Sequence, residues 1–381
     1  MGKKLIILFI ILLTTGCWNY RELNEFAIVT GMAVDYQNNK YELSFLIANG
    51  NKSENQQAQT SILTGSGTSI YDAFKDISLM SPKELYISHL SVVIISEEVA
   101  KKGIENLIDY LLRDPQSHQN FYMVIAKNNK AKDVLSILSP LADYPSQNIT
   151  SNVATSEKLQ GKISDASFNL FITKYFEKGF EPIMNSITII GNENKGQTTE
   201  SQNKTKQDAY TKLDTIALFN KDKLVGWATK EESTGIDMIL GEIETIYFNI
   251  PCEQQYSVVV SNNYKVDYKI EKNKITINSN MEGSLIEVGC DINLESEKEI
   301  KKLEKRVENE MKKYINHALK LAQYHKTDIF GFGNLIYKKY PEYYSKISNW
   351  NERFSNLNIE INTSFKFTSK GTLEQSVKQY E

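Results

Sequence analysis

The sequence predicts an α/β (α+β) protein in which mixed or antiparallel sheets pack against helices. Apolar residues make up 41% of the 381-residue chain and charged residues 24%, a globular composition that supplies enough material for packed cores. Strand-like and helix-like segments alternate through the first half with short connections. The second half holds period-two segments and one long amphipathic helix. The length fits two or three domains.

The first half alternates between strand and helix patterns. The predicted strands are 26–35, 40–48, 85–95 and 121–126, and a turn at 37–39 joins the first two. The predicted helices are one that follows Gly65–Ser69 and runs through Met80, then 97–112 and 130–138. This alternation predicts an N-terminal α/β domain over 26–190.

A polar segment then interrupts the pattern. Residues 191–208 contain no aliphatic or aromatic side chain. Because such a segment buries too little apolar surface to offset the entropy of ordering it, we expect a flexible linker or loop over 191–210. A hairpin within 214–227, a helix from Thr229 to Leu240 and a strand from Glu244 to Asn249 then predict a small middle domain over 211–251.

The last part of the chain, 252–381, is predicted to form a C-terminal α/β domain with one long helix. Period-two segments at 256–260, 264–270, 274–278 and 284–288 are typical of a meander, and 359–368 is a final strand. The helix covers 295–325, with an apolar stripe formed by Ile300, Leu303, Val307, Met311, Tyr314, Ala318, Leu321 and His325. The stripe favours a helix lying across a sheet, with a coiled-coil partner as the alternative.

The first residues predict export. Lys3 and Lys4 precede an apolar run from Leu5 to Leu13, which has the length of a signal-peptide core. The run is too short to cross a bilayer, because a spanning helix needs roughly 20 apolar residues. Residues 1–16 are therefore predicted to be a signal peptide.

Lipid attachment is predicted at Cys17. Small residues lead to Gly16 and Cys17 in the manner of a bacterial lipobox, although Thr14 stands where a Leu is usual. Cleavage before Cys17 makes it the lipid-bearing first residue of the mature chain, and 17–25 a lipid tether. The alternative is an ordinary secretory signal with an incidental cysteine.

No residue pattern in the sequence predicts catalysis, a cofactor or a metal site. The histidines, His89, His118, His317 and His325, stand outside metal and nucleophile motifs. The Gly-x-Gly pairs at 65–67 and 331–333 lack the lysine or third glycine of a phosphate loop, and they fit turns or caps. We therefore expect a protein that is not an enzyme. The net charge of -3 and the absence of a basic stripe argue against nucleic-acid binding.

The two cysteines beyond Cys17 leave two possibilities open. Cys252 and Cys290 can pair, because an exported chain meets oxidising conditions. They can equally remain buried thiols, and the sequence does not decide between the two.

Four stretches, spread in order over the chain, carry a family resemblance. They are GCWNYRELNE at 16–25, SHLSVVIISEEVAKKGIENLIDYLLRD at 88–114, LDTIALFNKDKLVGWATKEESTGIDMILGEI at 213–243, and DIFGFGNLIYKKYP at 328–341 followed by Trp350 and Phe354. Together they resemble the Ger(x)C family, the lipoprotein C subunits of spore germinant receptors. The sequence departs from the family pattern at Thr14 and at Ser117 and His118, where relatives tend to carry an arginine.

The resemblance implies a three-domain lipoprotein on the outer surface of the inner spore membrane. It implies that the chain works with integral-membrane A and B subunits, in assembly or signal transduction of a receptor for nutrients such as amino acids, sugars or nucleosides. Only Cys17 transfers as a functional residue, as the carrier of acyl chains such as palmitate. The alternative function is a lipid-anchored solute-binding protein that captures the nutrient directly in a polar and aromatic cleft.

Overall fold

The computed structural model describes residues 22–49, 60–160, 166–243, 245–252, 255–290 and 292–369. Within these ranges the chain forms a nine-stranded mixed sheet and a four-stranded sheet, both packed with helices, which confirms the predicted class. The strands are β1 (Phe26–Gln37), β2 (Lys40–Ala48), β3 (Thr60–Gly67), β4 (Glu84–Tyr86), β5 (Val92–Ser96), β6 (Tyr122–Ala126), β7 (Ile183–Gly191), β8 (Ala209–Asn220), β9 (Lys223–Trp227), β10 (Ile246–Cys252), β11 (Gln255–Ile270), β12 (Lys274–Glu287) and β13 (Asn358–Ser369). The helices are α1 (Ile70–Met80), α2 (Glu97–Lys102), α3 (Glu105–Arg113), α4 (Ala131–Ser136), α5 (Pro145–Gln160), α6 (Phe168–Phe176), α7 (Glu193–Gly196), α8 (Thr199–Gln202), α9 (Lys230–Leu240), α10 (Glu297–Tyr324), α11 (Phe332–Lys339), α12 (Pro341–Tyr344) and α13 (Trp350–Ser355).

The larger sheet has a parallel centre and antiparallel flanks. Its strand order is β3-β2-β1-β5-β6-β7-β8-β9, with the short β4 paired to β1. Strands β1, β5, β6 and β7 are parallel to their neighbours in that series. Helices α1, α2, α3 and α6 pack on one face, and α4 and α5 on the other. Because both faces are covered, the central strands are continuous apolar runs, which made them visible in the sequence.

Two segments of the first half are divided where the sequence predicts one element. The predicted strand at 85–95 splits into β4 and β5, because a 3-10 turn at Ile87–His89 lets the Leu90 N–H donate to the Ile87 carbonyl. The predicted helix at 97–112 splits into α2 and α3 at Gly103, whose φ of 120° lies outside the helical region.

The polar segment after β7 is ordered, whereas the sequence predicts a flexible linker there. Asn192 and Thr198 cap the short helices α7 and α8, and Ser201 is buried and accepts a hydrogen bond from the Asp208 N–H. Side-chain caps thus replace the apolar burial that the segment lacks. Strands β8 and β9, expected in a middle domain, extend the larger sheet, with β8 antiparallel to β7 and β9 antiparallel to β8. The division of the chain into domains stays a prediction.

The smaller sheet runs β10-β11-β12-β13, with β13 parallel to β12. The four predicted meander segments merge into the two long strands β11 and β12. Helix α10 packs its apolar stripe on this sheet, as predicted, with a small shift toward Ile315 and Leu319 in place of Tyr314 and Leu321. Its buried residues are Ile300, Leu303, Val307, Met311, Ile315, Ala318, Leu319 and Ala322.

Helix α10 also covers the outer edge of β13. The carboxylates of Glu304 and Glu308 accept hydrogen bonds from the backbone N–H groups of Phe367 and Phe365, at 3.1 and 3.3 Å. A free strand edge is a template for pairing with another chain. These two glutamates accept from two backbone N–H groups of that edge and so oppose such pairing.

A disulfide joins Cys252, at the end of β10, to Cys290, which follows β12. The two Cα atoms are 5.7 Å apart, and the bond closes 38 residues of chain. The structure therefore selects the paired state from the two that the sequence leaves open. A covalent closure of this kind restricts the unfolded chain and stabilises the smaller sheet.

Candidate functional site

A buried polar junction around Asp328 joins the two sheets. Asp328 lies after α10 and is fully buried. Its carboxylate accepts hydrogen bonds from the backbone N–H groups of Phe330, Phe332 and Gly333, at 3.3, 3.2 and 2.7 Å, and from the Trp350 indole Nε1 at 2.8 Å. Two of these N–H groups belong to the first turn of α11, where helix donors lack partners within the helix. One side chain thus fixes the start of α11 and the ring of Trp350.

Glycines make this arrangement possible. Gly331 has a φ of 71°, the left-handed region that glycine adopts without strain. Gly333 lies so close to the Trp350 ring and to the Gly179 backbone that a β-carbon would collide with both. The Gly-x-Gly pair of the sequence therefore serves a turn and a close approach of backbones.

The other side of the junction is the segment before β7. The Glu181 N–H donates to the Asp328 carbonyl at 2.9 Å. The Glu181 carboxylate is itself buried and accepts from the Lys221 backbone N–H at 2.6 Å and from the Asn351 amide at 3.0 Å. Two buried residues with carboxylates, Asp328 and Glu181, therefore stabilise the contact between the two halves of the chain.

Further contacts widen the junction. The buried Lys174 ammonium lies 3.1 Å from the Glu242 carboxylate, and the Asn334 N–H donates to the Gly179 carbonyl at 3.2 Å. Apolar side chains of β7 and β8 belong to the same core as α9, α10 and the smaller sheet. The two sheets are thus joined by a continuous core as well as by hydrogen bonds.

Burial controls the electrostatics of the junction. Desolvation raises the pKa of Asp328 to about 7, although its hydrogen bonds oppose that change. Burial also raises the pKa of Tyr344 to about 12. The groups around the Asp328 carboxylate are donors that hold it in place, and this geometry serves attachment of the two halves.

A crevice lies at the carboxyl edge of the larger sheet, where the parallel strands end. Helix α2 follows β5 on one face and α4 follows β6 on the other, so the chain diverges between these two strands. Open α/β sheets bind ligands at such a point. The crevice has a volume of about 680 Å³, and its lining includes the carboxylates of Glu97, Glu98 and Glu193.

Asp35, at the end of β1, is the buried carboxylate of this crevice. It accepts hydrogen bonds from the Ala131 and Lys132 backbone N–H groups, both at 2.9 Å, and so caps α4. Burial raises its pKa. Beside it, Glu97 pairs with Lys101 at 2.7 Å and accepts from the Trp227 indole at 3.4 Å. The crevice is therefore polar, acidic and built on rigid elements.

The remaining candidates of the sequence are dispersed. Cys17 lies outside the described residues. His325 packs against Gly226, and its burial lowers its pKa. Among the described residues no group of three or more His, Cys, Asp or Glu side chains is arranged to hold a metal ion. The described part also contains no helix that is long and apolar enough to cross a membrane.

Comparison with known families assigns both halves of the chain. Residues 19–189 match the spore germination protein N-terminal domain, and residues 214–371 match the spore germination B3/GerAC-like C-terminal domain. The chain belongs to the Ger(x)C family of spore germination proteins. This family comprises the C subunits of germinant receptors.

Individual Ger(x)C relatives match along nearly their whole length. Spore germination protein KC of Bacillus subtilis (strain 168) is 26% identical over 376 residues, which cover 93% of this chain and 92% of that protein. Spore germination protein B3 of the same organism is 22% identical over 98% of each. The crystal structure of the GerBC protein superimposes with a TM-score of 0.52 at 19% identity, covering 89% of this chain and 97% of that one, and so shares the fold.

The structure explains why the Ger(x)C motif residues are spaced as they are. The last of the four stretches supplies Asp328, Gly331 and Gly333, and the motif tryptophan Trp350 binds Asp328 directly. Sequence reasoning recognised these residues as a family pattern and missed their partner, Glu181. A single glutamate in a charged segment gives no sign that it will be buried.

Replacing Trp350 with phenylalanine is expected to destabilise the Ger(x)C fold. The change removes one of four donors from a buried carboxylate, and the loss of a hydrogen bond to a charged group costs about 1.5–3 kcal/mol. Urea denaturation measures the free energy of unfolding. Trp227→Phe is the matched control, because that indole donates at 3.4 Å to the partly exposed Glu97. Equal losses in the two variants would contradict this role for Trp350.

The contribution of Asp328 to stability is expected to fall as the pH rises. Burial raises the pKa of this carboxyl to about 7 from an ordinary value of 3.8, so the folded state binds more protons than the unfolded state between these pH values. The difference in free energy of unfolding between wild type and Asp328→Asn should therefore shrink from pH 5 to pH 7, by at most about 1.4 kcal/mol per pH unit. The exposed Asp109→Asn is the control. If the stability difference between wild type and Asp328→Asn grew with pH instead, it would contradict a raised pKa of Asp328.

Proposed function

We propose that this protein is the lipid-anchored C subunit of a nutrient germinant receptor, required for spore germination. In this proposal Cys17 carries the acyl chains on the outer surface of the inner spore membrane. The folded part acts with integral-membrane A and B subunits in receptor assembly or signal transduction.

One observation carries the proposal. Both halves of the chain match the two Ger(x)C domains in order, over residues 19–189 and 214–371. The signal peptide, lipobox and tether predicted over 1–25 complete the plan of an exported, anchored subunit. The buried junction around Asp328 supports it further, because it ties both domains into one body that a single tether can hold at the membrane.

Replacing Cys17 with alanine is expected to abolish the nutrient response without unfolding the protein. Cys17 precedes both sheets in the chain, so we expect the sheets to fold without its side chain. The measurement is nutrient-triggered dipicolinate release from wild-type spores, spores lacking this chain and Cys17→Ala spores, with membrane fractionation of the protein. A non-nutrient trigger should act equally on all three.

A rescue variant separates the tether from other roles of Cys17. Replacing residues 1–17 with a single-span membrane anchor should restore both membrane location and nutrient response. A normal nutrient response in the deletion strain would overturn the receptor role. A normal response in Cys17→Ala spores would overturn the need for the lipid tether.

The crevice at the carboxyl edge favours a second function, direct capture of the nutrient. Its volume of about 680 Å³ suits a small polar molecule, and its carboxylates suit one with an amino group. Calorimetric titration of the folded chain with candidate amino acids, sugars and nucleosides measures such binding. A saturable heat whose affinity falls tenfold or more in the double variant Glu97→Gln and Glu98→Gln would establish capture. The absence of heat would rule out capture of these candidates and favour the accessory-subunit function.

A further inference from the structure

Two large apolar side chains project into solvent at the end of α1. Leu79 is 88% exposed and Met80 is 49% exposed. The buried face of α1 consists of Ile70, Ala73 and Ile77. Leu79 follows Ile77 by two residues, about 200° around the helix, so it faces away from the core. The fold gains no burial from this side chain.

These side chains lie where the folded chain begins. Strand β4 starts at Glu84 and pairs in parallel with β1, opposite Phe26. Glu84 is four positions after Met80, a length of chain that spans at most about 14 Å. The end of α1 is therefore at the amino edge of the larger sheet, where β1 starts and the parallel strands have their amino ends.

The length of chain before the fold limits how far this edge lies from the lipid. Glu22 is five positions after Cys17, a length of chain that reaches at most about 18 Å. Glu22 is held next to β1, because the Glu25 N–H donates to its carbonyl at 3.0 Å. The inference rests on the proposed acylation of Cys17: with acyl chains there, the bilayer surface lies close to the amino edge.

The chemistry of this edge suits a phospholipid surface. We define the amino-edge patch as Leu79, Met80, Pro82 and Lys83, all of them exposed, and the exposed Glu84 follows it directly. Leucine and methionine gain from burial among acyl chains, and a lysine beside them can reach lipid phosphates with its long side chain. Phe26 and Tyr86, where β1 and β4 pair, pack with ring centroids 5.1 Å apart and ring planes tilted by 46°, and aromatic rings favour the interface.

We propose that the amino-edge patch inserts into the outer leaflet of the bilayer that holds the acyl chains of Cys17. The insertion supplies a second membrane contact beside the acyl chains, which slows desorption from the bilayer. It also fixes the orientation of the folded body, which a tether alone leaves free to rotate.

The test uses the full acylated chain in vesicles of phosphatidylglycerol and phosphatidylethanolamine. A nitroxide is attached at Leu79→Cys, and at Leu141→Cys in a matched control. Leu141 is equally exposed, at 89%, and lies three residues after Leu138, which bonds to Gly196 beyond the carboxyl end of β7. Spin relaxation by lipid-soluble oxygen and by a water-soluble nickel chelate reports the depth of each label. We expect the ratio of spin relaxation by oxygen to spin relaxation by the nickel chelate to be several-fold higher at position 79 than at position 141.

The outcomes of this experiment separate the lipid anchor from the insertion of the amino-edge patch. Co-flotation with the vesicles but equal ratios at the two positions would keep the lipid anchor and overturn the docking. Failure to co-float would overturn the anchor, and the docking with it. A label at 79 that is shielded only when the membrane-embedded subunits are present would overturn the bilayer as occupant in favour of a protein.

Serine variants test how much the amino-edge patch strengthens membrane attachment. Leu79→Ser together with Met80→Ser should raise the rate of desorption from the vesicles about tenfold, because two apolar side chains no longer enter the leaflet. Leu141→Ser should leave that rate unchanged. An equal rate in both variants would contradict insertion. Because these side chains are exposed, urea denaturation should show unchanged folding.

Discussion

The buried carboxylate of Asp328 is the interaction on which the arrangement of the two sheets depends. A carboxylate without partners is costly to bury, and here its partners come from one turn of chain and one indole. Its own backbone carbonyl binds Glu181 of the other half. The Asp328 carboxylate finds its donors within the C-terminal half, and they order the turn that presents this carbonyl. Across the junction the Glu181 carboxylate accepts from Asn351, so each half supplies one partner to the other. The junction therefore holds the two halves together through hydrogen bonds between buried groups.

This junction has a mechanical consequence. The core that contains α9 and α10 continues into β7 and β8, and the segment that carries Lys174 and Glu181 is bonded to the C-terminal half along its length. Packed interiors deform little and respond by discrete rearrangement. A displacement imposed on one sheet is thus passed to the other as a movement of the whole body. Such stiffness suits the proposed role beside membrane-embedded subunits.

The sequence predicted the parts of this structure that rest on local pattern. Continuous apolar runs gave β5 and β6, and the three-and-four spacing gave α10 with its buried face. It failed where long-range contacts replace apolar burial. Side-chain caps order the segment after β7, and the pairing of β8 with β7 assigns that hairpin to the larger sheet. The sequence predicted only part of the junction. Its glycines and Trp350 form a family pattern, whereas the burial of Glu181 depends on partners far away in sequence.

The directions of the parallel strands separate the two surfaces of functional interest. All parallel strands of the larger sheet begin at the amino edge and end at the carboxyl edge. Glu22, the first described residue, and the exposed Leu79 lie at the first, and the acidic crevice lies at the second. If the lipid holds the amino edge against the bilayer, the crevice opens away from the membrane, where a soluble molecule or a partner can reach it. Strand direction, set by the core, thus places the proposed membrane contact and the acidic crevice at opposite ends of one sheet.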